Sequence, residues 1–135
     1  MVFGMSEGDI DIVLGPTTFT PRETINGKVK LKLSAPVQAR SLKVEFYGEI
    51  ERGNKYERVF RTEQVLGGER TYKNGDVFDF TLTMPEQAKP NEAQGTFGSI
   101  QDLFVPKPKN WYVHAQLDIP MAPDINARIS VYMRQ

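Results

Sequence analysis

Between Thr24 and Ile50 the side chains keep a period of two, and this constrains the fold more than any other feature of the chain. Ile25, Val29, Leu31 and Leu33 take the odd positions of the first run, while Thr24, Asn26, Lys28, Lys30 and Lys32 take the even ones. Successive strand side chains point to opposite faces, so such a run presents one face to a core and the other to water. The second run repeats the rule, with Leu42, Val44, Phe46 and Ile50 set against Lys43, Glu45, Tyr47 and Glu49. Residues 34 to 40 form a polar break containing Pro36, which reads as a turn. The expectation is an antiparallel hairpin with one dry face.

The rest of the chain follows the same rule. Asp9 to Leu14 alternates Asp9, Asp11 and Val13 with Ile10, Ile12 and Leu14 and is stopped by Gly15-Pro16, as a first strand would be. Thr17 to Glu23 contains Pro21, which cannot donate to a ladder, so it is an edge strand or a connection. Gly53-Asn54 marks a turn. Tyr56 to Leu66 is rich in strand formers but breaks parity, which predicts a bulge or a strand covered on both faces. The short run ERTY pairs briefly at most, and Asn74-Gly75 is a hairpin signal. Phe78, Phe80, Leu82 and Met84 alternate with polar residues up to Pro85. Residues 85 to 110 hold four of the nine prolines and form one long connection, whose apolar residues cap the core. Trp111 to Ile119 and Asp124 to Met133 close the chain, with Ile125, Ala127, Ile129, Val131 and Met133 inward.

Seven or eight strands without a helix-period stretch predict an all-β fold, a two-sheet antiparallel β-sandwich of immunoglobulin-like build, as a single domain over residues 1–135. Cysteines are absent, which excludes disulfides and thiolate chemistry and fits a reducing, cytoplasmic compartment. Lysine plus arginine equals aspartate plus glutamate at 17 each, so no global field draws the chain to nucleic acid. No secretory leader and no integral membrane segment is expected.

No catalytic constellation emerges, and neither a cofactor nor a metal is expected. His114, the one histidine, falls on an outward face with no second imidazole, and reads as a solvated side chain. Asp9 and Asp11 share a strand face, where charge protects an edge more simply than it holds a cation. The candidate partner-binding residues are Lys28, Lys30 and Lys32 in a row, with Lys43 across the hairpin, and the outward Tyr47, Tyr112 and Tyr132. Lysines in a row can contact phosphates or acidic peptides, or simply keep a sheet face solvated with Glu45 and Glu49 as weak cross-strand partners. Clustered tyrosines would mark an interface.

In order, FTPRETINGKVKLKLSAPVQARSLKVEFYGEIE, NGDVFDFTLTMPEQAKPNEA, WYVHAQLDIP and DINARISV cover most of residues 9 to 133. Together they resemble the N-terminal lobe of the arrestin fold, shared by arrestins, arrestin-domain adaptors, the arrestin-fold retromer subunit and bacterial sporulation-control proteins. The resemblance implies a non-enzymatic adaptor or scaffold that binds other proteins. Those relatives carry two lobes where one is found here, so their inter-lobe switch is not carried over. Their first strand has paired phosphate-sensing lysines, where this chain has the acidic DIDIVL. A lobe without its neighbour leaves a surface that a second copy would bury, which implies a homodimer through the last strand. The alternative class is a ligand-binding sandwich, for example for a carbohydrate, using the outward tyrosines and the 91–110 loop.

Overall fold

The computed structural model describes residues 8–20, 22–83 and 108–134. Among the described residues there are ten strands and no helix: β1 (Gly8–Leu14), β2 (Thr18–Phe19), β3 (Thr24–Leu33), β4 (Val37–Ala39), β5 (Ser41–Arg52), β6 (Lys55–Gly67), β7 (Arg70–Tyr72), β8 (Val77–Thr83), β9 (Asn110–Asp118) and β10 (Ile125–Met133). Three of them are only two or three residues long, which is why the pattern of alternation foretold fewer. The expected loop over residues 85–110 and the inward Met84 lie largely or wholly outside the described residues.

Strands β1, β3 and β8 form an antiparallel sheet with β3 in the middle. The second sheet runs β2-β10-β9-β5-β6 and is antiparallel except for β2, which pairs in parallel with Tyr132 and Met133. The last strand, expected to pair with a second copy, is met by β2 at Tyr132 and Met133. A short ribbon of β4 and β7 completes the arrangement, and the buried Tyr72 anchors it by donating its hydroxyl to the Gly68 carbonyl at 2.7 Å.

The two sheets close on a common core, as the alternation requires. Ile25, Val29 and Leu31 of β3 and Phe80 and Leu82 of β8 are buried, as are Leu42, Val44 and Phe46 of β5 and Trp111, Val113 and Leu117 of β9. Burial of this kind contributes roughly 1.5–3 kcal/mol per large side chain. Phe46 and Trp111 stack with ring centroids 5.2 Å apart and planes 9° from parallel, and Phe60 leans on the same indole at 6.0 Å.

The expected hairpin of β3 with β5 is not formed. The two strands lie in opposite sheets, and the break at residues 34–40 crosses between layers, burying Val37 and Ala39 on the way. A period of two says which side of each strand is dry, not which sheet it joins. Two one-sided strands satisfy the same pattern by facing each other across the core. Lys43 therefore stands on the outside of the five-stranded sheet, away from Lys28, Lys30 and Lys32. Asn74-Gly75 is likewise a turn but not a hairpin: it leads from β7 in the ribbon to β8 in another sheet. Only Gly75 of the pair has a positive φ, at 89°. The turn docks on β3, with Gly75 N donating to Leu31 O and Leu33 N to Asn74 Oδ1, both at 2.9 Å.

The parity break in β6 is a bulge, as expected. Phe46 pairs with Thr62 and Gly48 with Val59, so Phe60 and Arg61 together oppose Tyr47. Phe60 takes the left-handed backbone, φ 55°, that inserts the extra residue. Outward residues are consequently even before the bulge, as at Arg58, and odd after it, as at Arg61.

Gly48 is held to its lack of a side chain by this packing. A Cβ there would lie 2.8 Å from Trp111 and 2.6 Å from Pro108. Gly48→Ala is expected to cost about 1–3 kcal/mol by overpacking, and Gly48→Val more, read as a lower urea midpoint. Unchanged stability in both variants would show that this close approach is not a constraint.

Candidate interaction face

Strand β5 is dry on both sides. Residues 44 to 48 are all buried, although Glu45 and Tyr47 point away from the core. What covers them comes from the neighbouring strands, and the result is a polar and aromatic layer on the outside of the five-stranded sheet.

Glu45 is 5% exposed. A carboxylate so far out of water requires charged donors. Two arginines supply them: Arg58 Nη1 bonds Oε1 at 2.8 Å and Arg61 Nε bonds Oε2 at 2.6 Å. Without the bulge, residues three apart on a strand would face opposite ways, and only one of these arginines would reach the carboxylate.

On its way to Glu45 the Arg58 guanidinium lies over the Tyr47 ring, 4.3 Å from its centroid. From the other side Arg128 of β10 lies over Tyr112 of β9 at 3.9 Å. The two tyrosines face each other across β5 and β9, with centroids 5.6 Å apart. Arg128 Nη1 donates to the Tyr47 hydroxyl at 3.3 Å and lies 3.6 Å from Glu49. Tyr47, expected to be outward, does face that way but is wholly covered by these neighbours. Tyr112 is half-buried beside it, and Tyr132 stands on the same face of β10 at 64% exposure.

His114 sits opposite Glu45 on one side and Arg128 on the other. It is half-buried, and its Nε2 lies 2.9 Å from Asn126 Oδ1. Burial holds its pKa below the ordinary value, with Arg58 and Arg128 pushing the same way against the Asn126 bond and Glu45. The expectation of a freely solvated imidazole is corrected accordingly. A groove of about 310 Å³ runs over it, bordered by Arg58, His114, Asn126, Ala127 and Arg128.

The lysine row belongs to the other sheet and is partly neutralised. Lys28 pairs with Asp79 and Lys32 with Asp11, each at 2.8 Å across neighbouring strands. The Asp11 bond raises the pKa of Lys32. Lys30 makes no ion pair among the described residues. Lys43 lies on the same face of the five-stranded sheet as the tyrosines, opposite Gln116, and makes no hydrogen bond or ion pair with the cluster among the described residues. Of the seven candidates, the fold thus brings together Tyr47 and Tyr112, places Tyr132 and Lys43 on their face, and separates the three lysines of β3. Arg58, Arg61 and Arg128 were not foreseen. The signal was present in the parity break, which puts two arginines three apart on one face once the bulge is located.

Among the described residues no group of three or more histidines, aspartates or glutamates is placed to hold a metal ion. No helix among them is long and apolar enough to cross a membrane.

No family model matches the chain, and no curated protein sequence matches it. Its fold is similar to that of Spo0M, a sporulation control protein from Bacillus subtilis, with a TM-score of 0.66 and 18% identity over 97% of this chain. The chain spans about half the length of Spo0M, 51%. The superoxide reductase (neelaredoxin) of Ignicoccus hospitalis is similar at a TM-score of 0.50 and 13% identity, over 93% of this chain and 80% of that one. AvmM, which catalyses macrocyclization in alchivemycin A biosynthesis, reaches 0.51 and 9% identity, over 96% and 90%. The all-β sandwich is thus arrestin-like, as the Spo0M likeness supports.

Two expectations follow from the geometry. Glu45→Gln should cost about 1–3 kcal/mol in chemical denaturation, because it leaves two half-exposed guanidiniums without their anion. Lys28→Ala, which breaks an exposed pair, should stay within about 0.5 kcal/mol. Equal effects would remove the distinction between the two faces. For His114, a folded pKa below the unfolded one means that the unfolded chain binds more protons in the interval between them. Its contribution to stability is present above the ordinary value of 6.5 and is lost as pH falls from there toward the folded pKa. An imidazole NMR titration should place the folded pKa below that value, and His114→Gln should abolish this component of the pH dependence.

Proposed function

We propose that the chain is a non-enzymatic protein-interaction module, an adaptor or scaffold, and that it engages its partner through the outer face of the five-stranded sheet. The observation that carries this reading is the layer of Tyr47, Tyr112, Arg58 and Arg128. Tyrosine and arginine dominate the energetics of protein interfaces, and here each ring is stacked by a guanidinium held at both ends. Side chains already fixed in place lose little rotamer freedom on association.

The carbohydrate alternative is less well served by the same layer. A sugar-binding row needs bare aromatic faces to stack on, and Arg58 and Arg128 already occupy those of Tyr47 and Tyr112. Its other element, the 91–110 loop, lies outside the described residues up to residue 107.

A photo-crosslinking residue placed at Tyr132, on the proposed face, should give discrete protein adducts in native lysate. The same residue at Val77, exposed on the other sheet, should not. An adduct at twice the protein's own mass would identify the partner as a second copy. Equal labelling from both positions, or turnover of a small molecule by the purified protein, would overturn the reading.

A further inference from the structure

The groove over His114 lies on the proposed face, and arginines line it. Arg58 stands on its β6 side and Arg128 on its β10 side, with His114 on the floor between them and Asn126 beside it. We propose that this groove is a subsite for one carboxylate, supplied by an aspartate or glutamate side chain of a protein partner. This rests, for its source, on reading the face as a protein interface.

The first reason is donor supply. A guanidinium has five N–H donors, and the bonds that hold Arg58 and Arg128 among the described residues use Nη1 of each. The remaining donors of two arginines border one opening, the geometry in which arginine recognises a planar carboxylate.

Charge decides between anions. The guanidiniums of Arg58, Arg61 and Arg128 form ion pairs with the carboxylates of Glu45 and Glu49, and this paired network carries one net positive charge. A monoanion neutralises it. A phosphate dianion would leave a negative charge against the buried Glu45 and the partly buried Glu49.

The available donors also speak to the source. The terminal carboxylates of polypeptides are captured by concave sets of backbone N–H groups. On the face of a sheet those groups are committed to the ladders, and the groove offers side chains alone.

His114 adds a signature. With Asn126 Oδ1 accepting from Nε2, the neutral ring presents an Nδ1 lone pair and cannot donate a second bond. The charged groups facing it are Glu45 on β5, Arg58 on β6 and Arg128 on β10. Lys43 and Glu49 on β5, Arg61 and Glu63 on β6 and Asp124 before β10 stand further along the face. A carboxylate between the arginines offsets the two cations that disfavour imidazolium. Binding therefore takes up a proton, and affinity rises as pH falls through the titration of the ring.

The test follows the imidazole signals of His114 in the full-length protein by NMR during titration with glutamate capped at both backbone ends. N-acetylglycine and inorganic phosphate serve as separate arms. The expected result is saturable binding with a Kd on the order of millimolar, tighter at lower pH. Both Arg128→Gln and Arg128→Lys should weaken it about tenfold, because lysine restores the charge but not the planar fork. His114→Gln, followed by the backbone amide signals of the strands that border the groove, should keep binding and lose its pH dependence. Arg128 is chosen because its side chain is 44% exposed at the rim, whereas Arg58 also secures Glu45. No saturable response, or wild-type affinity in Arg128→Gln, would overturn the subsite. Tighter binding of N-acetylglycine would overturn the side-chain source, and tighter binding of phosphate the monoanion. Adducts at Tyr132 without a glutamate response would overturn the subsite alone. A glutamate response without adducts would overturn the interface reading, and with it the side-chain source.

Discussion

A carboxylate withdrawn from water on the outside of a sheet must be surrounded by donors, and in this protein Glu45 imposes that requirement on the strands around it. Its two oxygens are taken by arginines from the same neighbouring strand, three residues apart. That spacing works only because β6 carries an extra residue. The left-handed backbone at Phe60 costs on the order of 1 kcal/mol. It is offset on both faces of the sheet: inward, Phe60 lies against Trp111, and outward, Arg61 reaches Glu45. One local distortion thus serves the core and the outer layer together.

The same constraint explains why the two faces of the sandwich differ in kind. On the three-stranded sheet, Lys28 and Lys32 each meet one acid across the ladder in open water, where such pairs are screened and nearly neutral in energy. On the five-stranded sheet the charges are stacked on rings and partly desolvated, so their positions are specified. Arg58 and Arg128 approach Tyr47 and Tyr112 from opposite sides, and neither can leave without uncovering a tyrosine. A face of this kind presents fixed charges to whatever meets it, while the lysine face presents mobile ones.

The sandwich was legible in the sequence because each strand with one dry face announces itself by parity. Leu31, Phe46 and Phe80 are buried as their alternation required. The wiring was not legible. Nothing in the runs around Lys30 and Phe46 says whether two one-sided strands lie beside each other or across a core, and the hairpin reading chose wrongly. The candidate site was half visible for a related reason. Parity placed Tyr47, Tyr112 and His114 on outward faces, but their burial is a property of residues that cross from β6 and β10. Alternation carries no information about long side chains lying flat on a sheet, so Arg58 and Arg128 were indistinguishable from ordinary solvated arginines. Only the parity break between Tyr56 and Leu66 hinted that β6 had something unusual to position.

That a sporulation control protein, a superoxide reductase and a macrocyclization enzyme share this architecture separates what the fold supplies from what each protein adds. A sandwich uses its inner faces to exist, and those positions are interchangeable among apolar residues of similar size. The differences that matter for function have to lie on outer faces and connections. Among the described residues, the outer layer of the five-stranded sheet departs from what stability alone demands. A row of solvated polar residues would have covered β5 as well, without burying a charge or bending a strand. Glu45, held in place by Arg58 and Arg61, is therefore a reason to look for function on that face and not within the sandwich.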